Sequence, residues 1–126
     1  MSESTSPVRV AVVQFDPQVG TQNRAANLST SLELALEAVN NGANLIVLPE
    51  LTNTGYFFQN RQDAFDHAEA VPDGPSVGSW EDFARHHQVY LIAGLTEREG
   101  SKLYNTGVLV GPDGFIGKYR KAHHWN

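Results

Sequence analysis

The chain has 126 residues, 40% hydrophobic and 18% charged, a balance that supports one packed domain and argues against wholesale disorder. A net charge of −5 disfavours nucleic acid as a partner, because phosphate backbones demand clustered Lys and Arg, and the one basic cluster is Lys118-Tyr119-Arg120-Lys121. The absence of cysteine removes disulfides, thiolate metal ligands and a cysteine nucleophile from these residues.

No stretch approaches the ~20 apolar residues of a membrane span. The leader from Met1 to Ser6 is polar and has no apolar segment behind it, so it does not read as a secretory signal. Residues 1–7 are expected to be a disordered tail, 8–126 the folded part, and the cytoplasm the location.

Val8 to Phe15 is rich in Val and apolar from Val10 to Val13, expected as a strand buried on both faces and closed by Asp16-Pro17. From Asn23 to Asn41, Leu28, Leu32, Ala35, Leu36 and Val39 recur at helical spacing, with Arg24, Glu33 and Glu37 opposite, which predicts an amphipathic helix. Gly42 suits the position just past its end. Leu45 to Leu48 is a second short apolar strand, closed by Pro49, so the opening reads as a β-α-β unit. Thr52 to Asp73 is expected as a loop at the active site, with a short helix near Arg61 to Ala68. Pro72-Asp73-Gly74-Pro75 is a turn signal, after which Ser76 is expected to cap a helix reaching His87, its apolar face formed by Val77, Trp80, Phe83 and Ala84. Val89 to Leu95 is a third buried strand. Tyr104 to Val110 and Phe115 to Tyr119 flank Gly111-Pro112-Asp113-Gly114, a hairpin with a four-residue loop. The closing His123-His124-Trp125-Asn126 reads as a cut rather than a finished domain.

Two segments carry candidate chemistry. Glu50 directly follows an apolar strand, where open α/β sheets place their sites, and partial desolvation there makes a carboxylate a better base. The same residue equally suits a strand end or a surface ion pair. In Lys118 to Lys121, strand alternation sends Tyr119 and Lys121 to one face and Lys118 and Arg120 to the other. Lys121 can then reach into a cleft, or the run is simply a solvated strand end. The histidine pairs His86-His87 and His123-His124 lack metal-ligand spacing, and no phosphate-binding glycine loop occurs, so no metal or cofactor is expected.

Taken in order, several short motifs change the weight of these signals. They are Val12-Val13-Gln14-Phe15, Asn27, the run NLIVLPEL at 44–51, Thr54-Gly55-Tyr56, and Asp73-Gly74-Pro75. LIAGLTE at 91–97, LYNT at 103–106 and GPDGFIGKYRKAH at 111–123 complete the series. This succession resembles the nitrilase superfamily of carbon–nitrogen hydrolases over almost the whole chain. The resemblance implies an α/β fold, a four-layer α-β-β-α sandwich of which this chain supplies roughly half, with residues 8–126 the N-terminal part of the hydrolase domain. It implies Glu50 as general base and Lys121, rather than Lys118, as the lysine that stabilises the tetrahedral intermediate. Tyr56 falls in the loop that shapes the substrate pocket, and Glu97, Asn105 and His123 fall at supporting positions. The expected substrates are small amides, nitriles or N-carbamoyl amines. The family's attacking cysteine and second glutamate lie beyond the lysine, so this chain alone is expected to be inactive. Two readings stay open: the N-terminal part of an enzyme, or a non-catalytic truncated paralogue that binds a ligand or partner. A generic flavodoxin-like or Rossmann-type domain is disfavoured by the missing glycine fingerprint and the late hairpin. A half-sandwich would bare an apolar sheet face, so association with the missing C-terminal segment or with another copy is expected.

Overall fold

A computed structural model describes residues 7–18, 23–50, 52 and 60–121. Its elements run β1 (Val10–Val12), α1 (Arg24–Asn40), β2 (Leu45–Val47), α2 (Arg61–His67), α3 (Pro75–His87), β3 (Tyr90–Glu99), β4 (Lys102–Gly111) and β5 (Gly114–Arg120). All five strands join one sheet in the order β1-β2-β3-β4-β5. The first three are parallel, and β4 and β5 each run antiparallel to the strand before.

This order explains where the helices lie. Parallel strands are joined by right-handed crossovers, and two such crossovers stepping the same way across a sheet carry their helices to the same face. Accordingly α3 touches α1, with Trp80 Nε1 donating to Ser31 Oγ at 3.4 Å. Along β3, Leu91, Ala93 and Leu95 turn inward to this helical layer, as Val108 and Val110 do from β4. Trp80 and Ile46 complete the core at 0% exposure. The result is one α layer on one β layer. The opposite face is bare: Val10, Val12, Tyr90, Ile116 and Tyr119 are all exposed there.

The strand–helix–strand opening, both long helices and the late hairpin stand where the sequence predicts them. Several details differ. β1 is not buried on both faces: Val10 and Val12 are exposed because β1 is an edge strand and one sheet face has no cover. On α1, Leu28, Leu32, Ala35 and Val39 pack against the core as predicted, but Leu36 is exposed and Asn27 and Ser31 are buried beside Ala35. Polar residues fit there because each is bonded. Asn27 exchanges two hydrogen bonds with the Gln18 backbone, both at 2.8 Å, and Ser31 Oγ donates to Leu28 O at 2.6 Å. Gly42 does sit just past α1, at φ +90°, and its N–H donates to Val39 O at 2.9 Å.

Ser76 is not the cap of α3. Gly74 holds that position, Pro75 begins the helix, and Ser76 lies inside the first turn, where its N–H and Oγ both donate to Glu69 at 2.7 and 2.6 Å. The β4–β5 loop is shorter than predicted. Gly111 pairs with Gly114, leaving Pro112-Asp113 as a two-residue turn, and φ +111° at Gly114 is a conformation that favours glycine. β3 and β4 extend beyond their apolar cores to form a second hairpin around Gly100-Ser101.

Trp80→Ala should empty the contact between α3 and α1. The expected loss is about 3–5 kcal/mol of stability, read from urea unfolding followed by circular dichroism.

Candidate active site

β2 delivers Glu50 to the carboxyl end of the parallel strands. Leu48 N–H still donates to Ile92 O at 2.8 Å, but Pro49 has no N–H to continue the ladder. The chain then turns, with Thr52 Oγ1 donating to Pro49 O, and is caught again on β3 by Thr52 N–H to Gly94 O at 2.8 Å. Glu50 therefore rides on a short turn fastened to β3 at both ends, and its side chain is 35% exposed.

Lys121 arrives from the other side of the sheet. β5 runs parallel to β3, so its end points the same way as that of β2, and Lys121 N–H donates to Asn105 O at 2.9 Å. Alternation sends Lys121 to the bare face alongside Tyr119. There its Nζ meets Glu50 Oε1. The two strands that bear these residues are separated by β3 and β4, where Gly94 and Gly107 are register partners. A Cβ on Gly107 would project into open space, its nearest neighbour being Tyr119 O at 4.0 Å. Beside Glu50, a groove of about 450 Å³ is lined by Gln14, Phe15, Asp16, Pro17 and Pro49 at the ends of β1 and β2.

The helix-covered side of the same strands holds a second charged group. Glu97, 1% exposed, accepts from Arg120 Nε at 2.8 Å, Arg120 Nη2 at 2.9 Å, Lys118 Nζ at 2.5 Å and Thr106 Oγ1 at 2.8 Å. Burial by itself pushes the Glu97 carboxyl up, but hydrogen bonds from Arg120, Lys118 and Thr106 outweigh it and bring it down to about 2. Arg120 also pairs with Glu99 at 2.7 Å, its guanidinium lies 3.9 Å from the Tyr104 ring centroid, and its own pKa is raised by these carboxylates. Lys118 is thus occupied behind the sheet, and Lys121 is the lysine of this run that meets Glu50.

Glu69 forms a neighbouring buried acid, held by Ser76 and 3.8 Å from Arg24 Nη1. Its backbone bonds to β3 on both sides, Glu69 N–H to Thr96 O at 3.0 Å and Arg98 N–H to Glu69 O at 2.8 Å, beyond the point where β2 has ended.

Of the residues singled out from sequence, Glu50 and Lys121 come together on the bare face, Glu97 lies behind them, and Asn105 holds the Lys121 backbone. Tyr56 and His123 lie outside the described residues. Sequence reasoning did not single out Thr52, Gly94, Gly107 or Glu69. A signal existed for the Glu97 cluster: an acid in an apolar strand needs cations, and Lys118 and Arg120 share a face.

Comparison with known proteins places the chain in a family. Residues 9–126 match the carbon-nitrogen hydrolase family. The chain is 47% identical over 116 residues to a nitrilase of Pyrococcus abyssi, covering 92% of this chain and 44% of that one. It is 37% identical over 123 residues to the omega-amidase NIT2 of Mus musculus, covering 94% of this chain and 41% of the other. Among solved structures it resembles Saccharomyces cerevisiae Nit3, a member of branch 10 of the nitrilase superfamily, with a TM-score of 0.77 and 28% identity, covering 92% of this chain and 44% of Nit3. The chain belongs to the carbon-nitrogen hydrolase family of the nitrilase superfamily, and spans less than half the length of these relatives.

The depressed Glu97 carboxyl has a defined sign. Its contribution to stability is complete above its ordinary pKa of 4.5 and is lost as pH falls from there toward 2. Glu97→Gln leaves Lys118 without its carboxylate and Arg120 with Glu99 alone, and should cost roughly 3 kcal/mol at neutral pH. The variant should also lose most of the stability change between pH 4.5 and 2, as measured by urea unfolding at each pH.

Proposed function

We propose that the intact protein hydrolyses a linear, non-peptide C–N bond of an amide, a nitrile or an N-carbamoyl amine, with Glu50 as general base and Lys121 as the stabilising cation. The observation that carries this reading is the meeting of Lys121 Nζ and Glu50 Oε1 at the carboxyl end of the sheet. Membership of the carbon-nitrogen hydrolase family supports it, as do relatives named nitrilase and omega-amidase.

The pair suits the chemistry. For an amide, Glu50 takes the proton of a thiol as sulfur attacks the carbonyl carbon, and Lys121 donates to the oxyanion that forms. Glu50 passes that proton to the leaving nitrogen, the C–N bond breaks and a thioester remains. Water then attacks the thioester with Glu50 again accepting a proton, which returns to the departing thiolate. The thiol in this proposal is a cysteine outside these 126 residues, which contain none, and the chain by itself is proposed to be inactive. Tyr56 is proposed to line the pocket, and Glu97, Asn105 and His123 to support the lysine segment. The scheme requires no metal or organic cofactor, and the cytoplasm is its proposed setting.

The test is Glu50→Gln in the protein that carries this chain together with its cysteine-bearing remainder. Turnover of short amides, nitriles and N-carbamoyl amines should fall about 10²–10⁴-fold with the circular dichroism spectrum unchanged. Undiminished turnover would refute the base assignment. The lack of cysteine also favours a second reading, a truncated paralogue acting as a binding module. A reading frame with no cysteine beyond this segment would select it.

The bare face is proposed to be covered, either by the C-terminal segment or by a second copy, since Val10, Val12, Tyr90, Ile116 and Tyr119 present exposed apolar surface. The isolated 126-residue chain should therefore sediment above its 13.8 kDa monomer mass. A strictly monomeric boundary across the concentration range would count against this.

A further inference from the structure

β5 is the last strand of the described sheet and pairs on one side only, and Lys121 lies one residue past its end. Strand ends of this kind fray at little cost in free energy. One backbone bond, Lys121 N–H to Asn105 O at 2.9 Å, ties the residue to β4. A cation that meets Glu50 across two intervening strands needs more than this to keep one direction. The residue before it supplies the restraint. Arg120 pairs in register with Thr106, and its guanidinium is held by three groups on the helix side of the sheet. Nε and Nη2 donate to the two oxygens of Glu97 at 2.8 and 2.9 Å, Nη2 also donates to Glu99 Oε2 at 2.7 Å, and the Tyr104 ring centroid lies 3.9 Å away. Neutralising Glu97 does not demand so much. Lys118 Nζ at 2.5 Å is already a counter-charge, and Thr106 Oγ1 at 2.8 Å is a further donor. The surplus goes into orientation, because a planar guanidinium fork meets these partners together in one attitude, which a lysine ammonium does not.

We propose that Arg120 is a positioning residue for Lys121: held by Glu97, Glu99 and Tyr104, it fixes the rotation of the β5 end and thereby aims the Lys121 ammonium on the opposite face. This rests on the reading of Lys121 as the cation that stabilises the oxyanion. Arg120 itself is occupied behind the sheet, so its influence on the reaction passes through the backbone it shares with Lys121. Adjacent residues of a strand take opposite faces, and a turn of one about the strand axis turns the other with it. Misplacing a reacting group by about 1 Å can cost on the order of 10²-fold in rate, so a loosened strand end is felt in the chemical step.

The experiment is a double-mutant cycle with Arg120→Gln, Lys121→Met and the pair together, in the protein that carries this chain with its cysteine-bearing remainder. Arg120→Gln should lower kcat roughly 10- to 100-fold with KM little changed. Lys121→Met should lower kcat about 10²–10³-fold. Adding Arg120→Gln to Lys121→Met should then change kcat by less than about twofold, while the urea midpoint falls as far as it does in the wild-type background. An arginine that only stabilised the fold would give losses in kcat that multiply, and that result would overturn the inference. Arg120→Lys keeps the charge without the fork, so its kcat should stay close to that of Arg120→Gln; it also carries the cycle if Arg120→Gln does not fold by circular dichroism. Wild-type kcat in either folded Arg120 variant, beside an impaired Lys121→Met, would overturn the role of Arg120 and leave the role of Lys121 standing. Wild-type kcat in Lys121→Met would overturn the reading of Lys121 and this inference with it.

Discussion

The two faces of β5 are held apart by one buried carboxylate. Glu97 sits behind the sheet and takes hydrogen bonds from both Lys118 and Arg120. Because side chains alternate along a strand, fixing residues 118 and 120 on the helix side obliges 119 and 121 to face the other way. The rotation of the strand is therefore set by a charge cluster, and the direction of Lys121 follows from it. The cluster is also self-consistent electrostatically: a buried acid stays ionised when several donors converge on it, and Arg120 is further restrained by Glu99 and the Tyr104 ring.

On the opposite face the governing factor is room. Glu50 and Lys121 belong to strands separated by β3 and β4, a distance that two ordinary side chains would cross only over a clear surface. Gly94 and Gly107, register partners on the two intervening strands, add no side chains to that face. Both acids associated with this end of the sheet are fixed by β3. Glu50 is carried on a turn bonded to Ile92 and Gly94, while Glu69 is bonded through its backbone to Thr96 and Arg98. β3 is thus the ruler against which the site is laid out. Its inward residues build the core, and its outward residues shrink to Gly and Thr where the charged pair meets.

Local elements were legible because their causes are local. The 3.6-residue pattern of α3 put Val77, Trp80 and Ala84 on one face, and all three are buried. Gly42 was readable from the chemistry of positive φ, and the existence of the β4–β5 turn, though not its length, from Gly111-Pro112-Asp113-Gly114. What the sequence hid was non-local. Leu28, Leu32, Ala35 and Val39 meet the core as their spacing predicts, but Leu36 is exposed and the fully buried positions include Asn27 and Ser31, because bonds to Gln18 and Trp80 satisfy these polar members. Ser76 has the right residue type for a cap, but Glu69, seven positions earlier, claims its N–H and hydroxyl. An apolar β1 suggested burial on two faces, since hydrophobicity reports what a segment tolerates and not which neighbours are present. The meeting of Glu50 and Lys121 was reached through resemblance; strand alternation alone could say only which face Lys121 would take.

The bare face and the charged pair are one feature seen at two positions along the sheet. Monotonic strand order places both crossover helices on one side, so the other side must be apolar along most of its length and open at its carboxyl end. In the proposed assembly, a segment covering Val10, Val12, Tyr90, Ile116 and Tyr119 and reaching the carboxyl end would also roof Glu50 and Lys121, and removing water there would strengthen the attraction between them. A pair locked together is a poor catalyst, because each charge is spent on the other. In the proposed reaction the covering segment must therefore supply more than shelter: it has to present an acceptor for Lys121, through the substrate, and a proton for Glu50, through the nucleophile. In that proposed reaction the two members of this half-site neutralise one another until a third group comes between them.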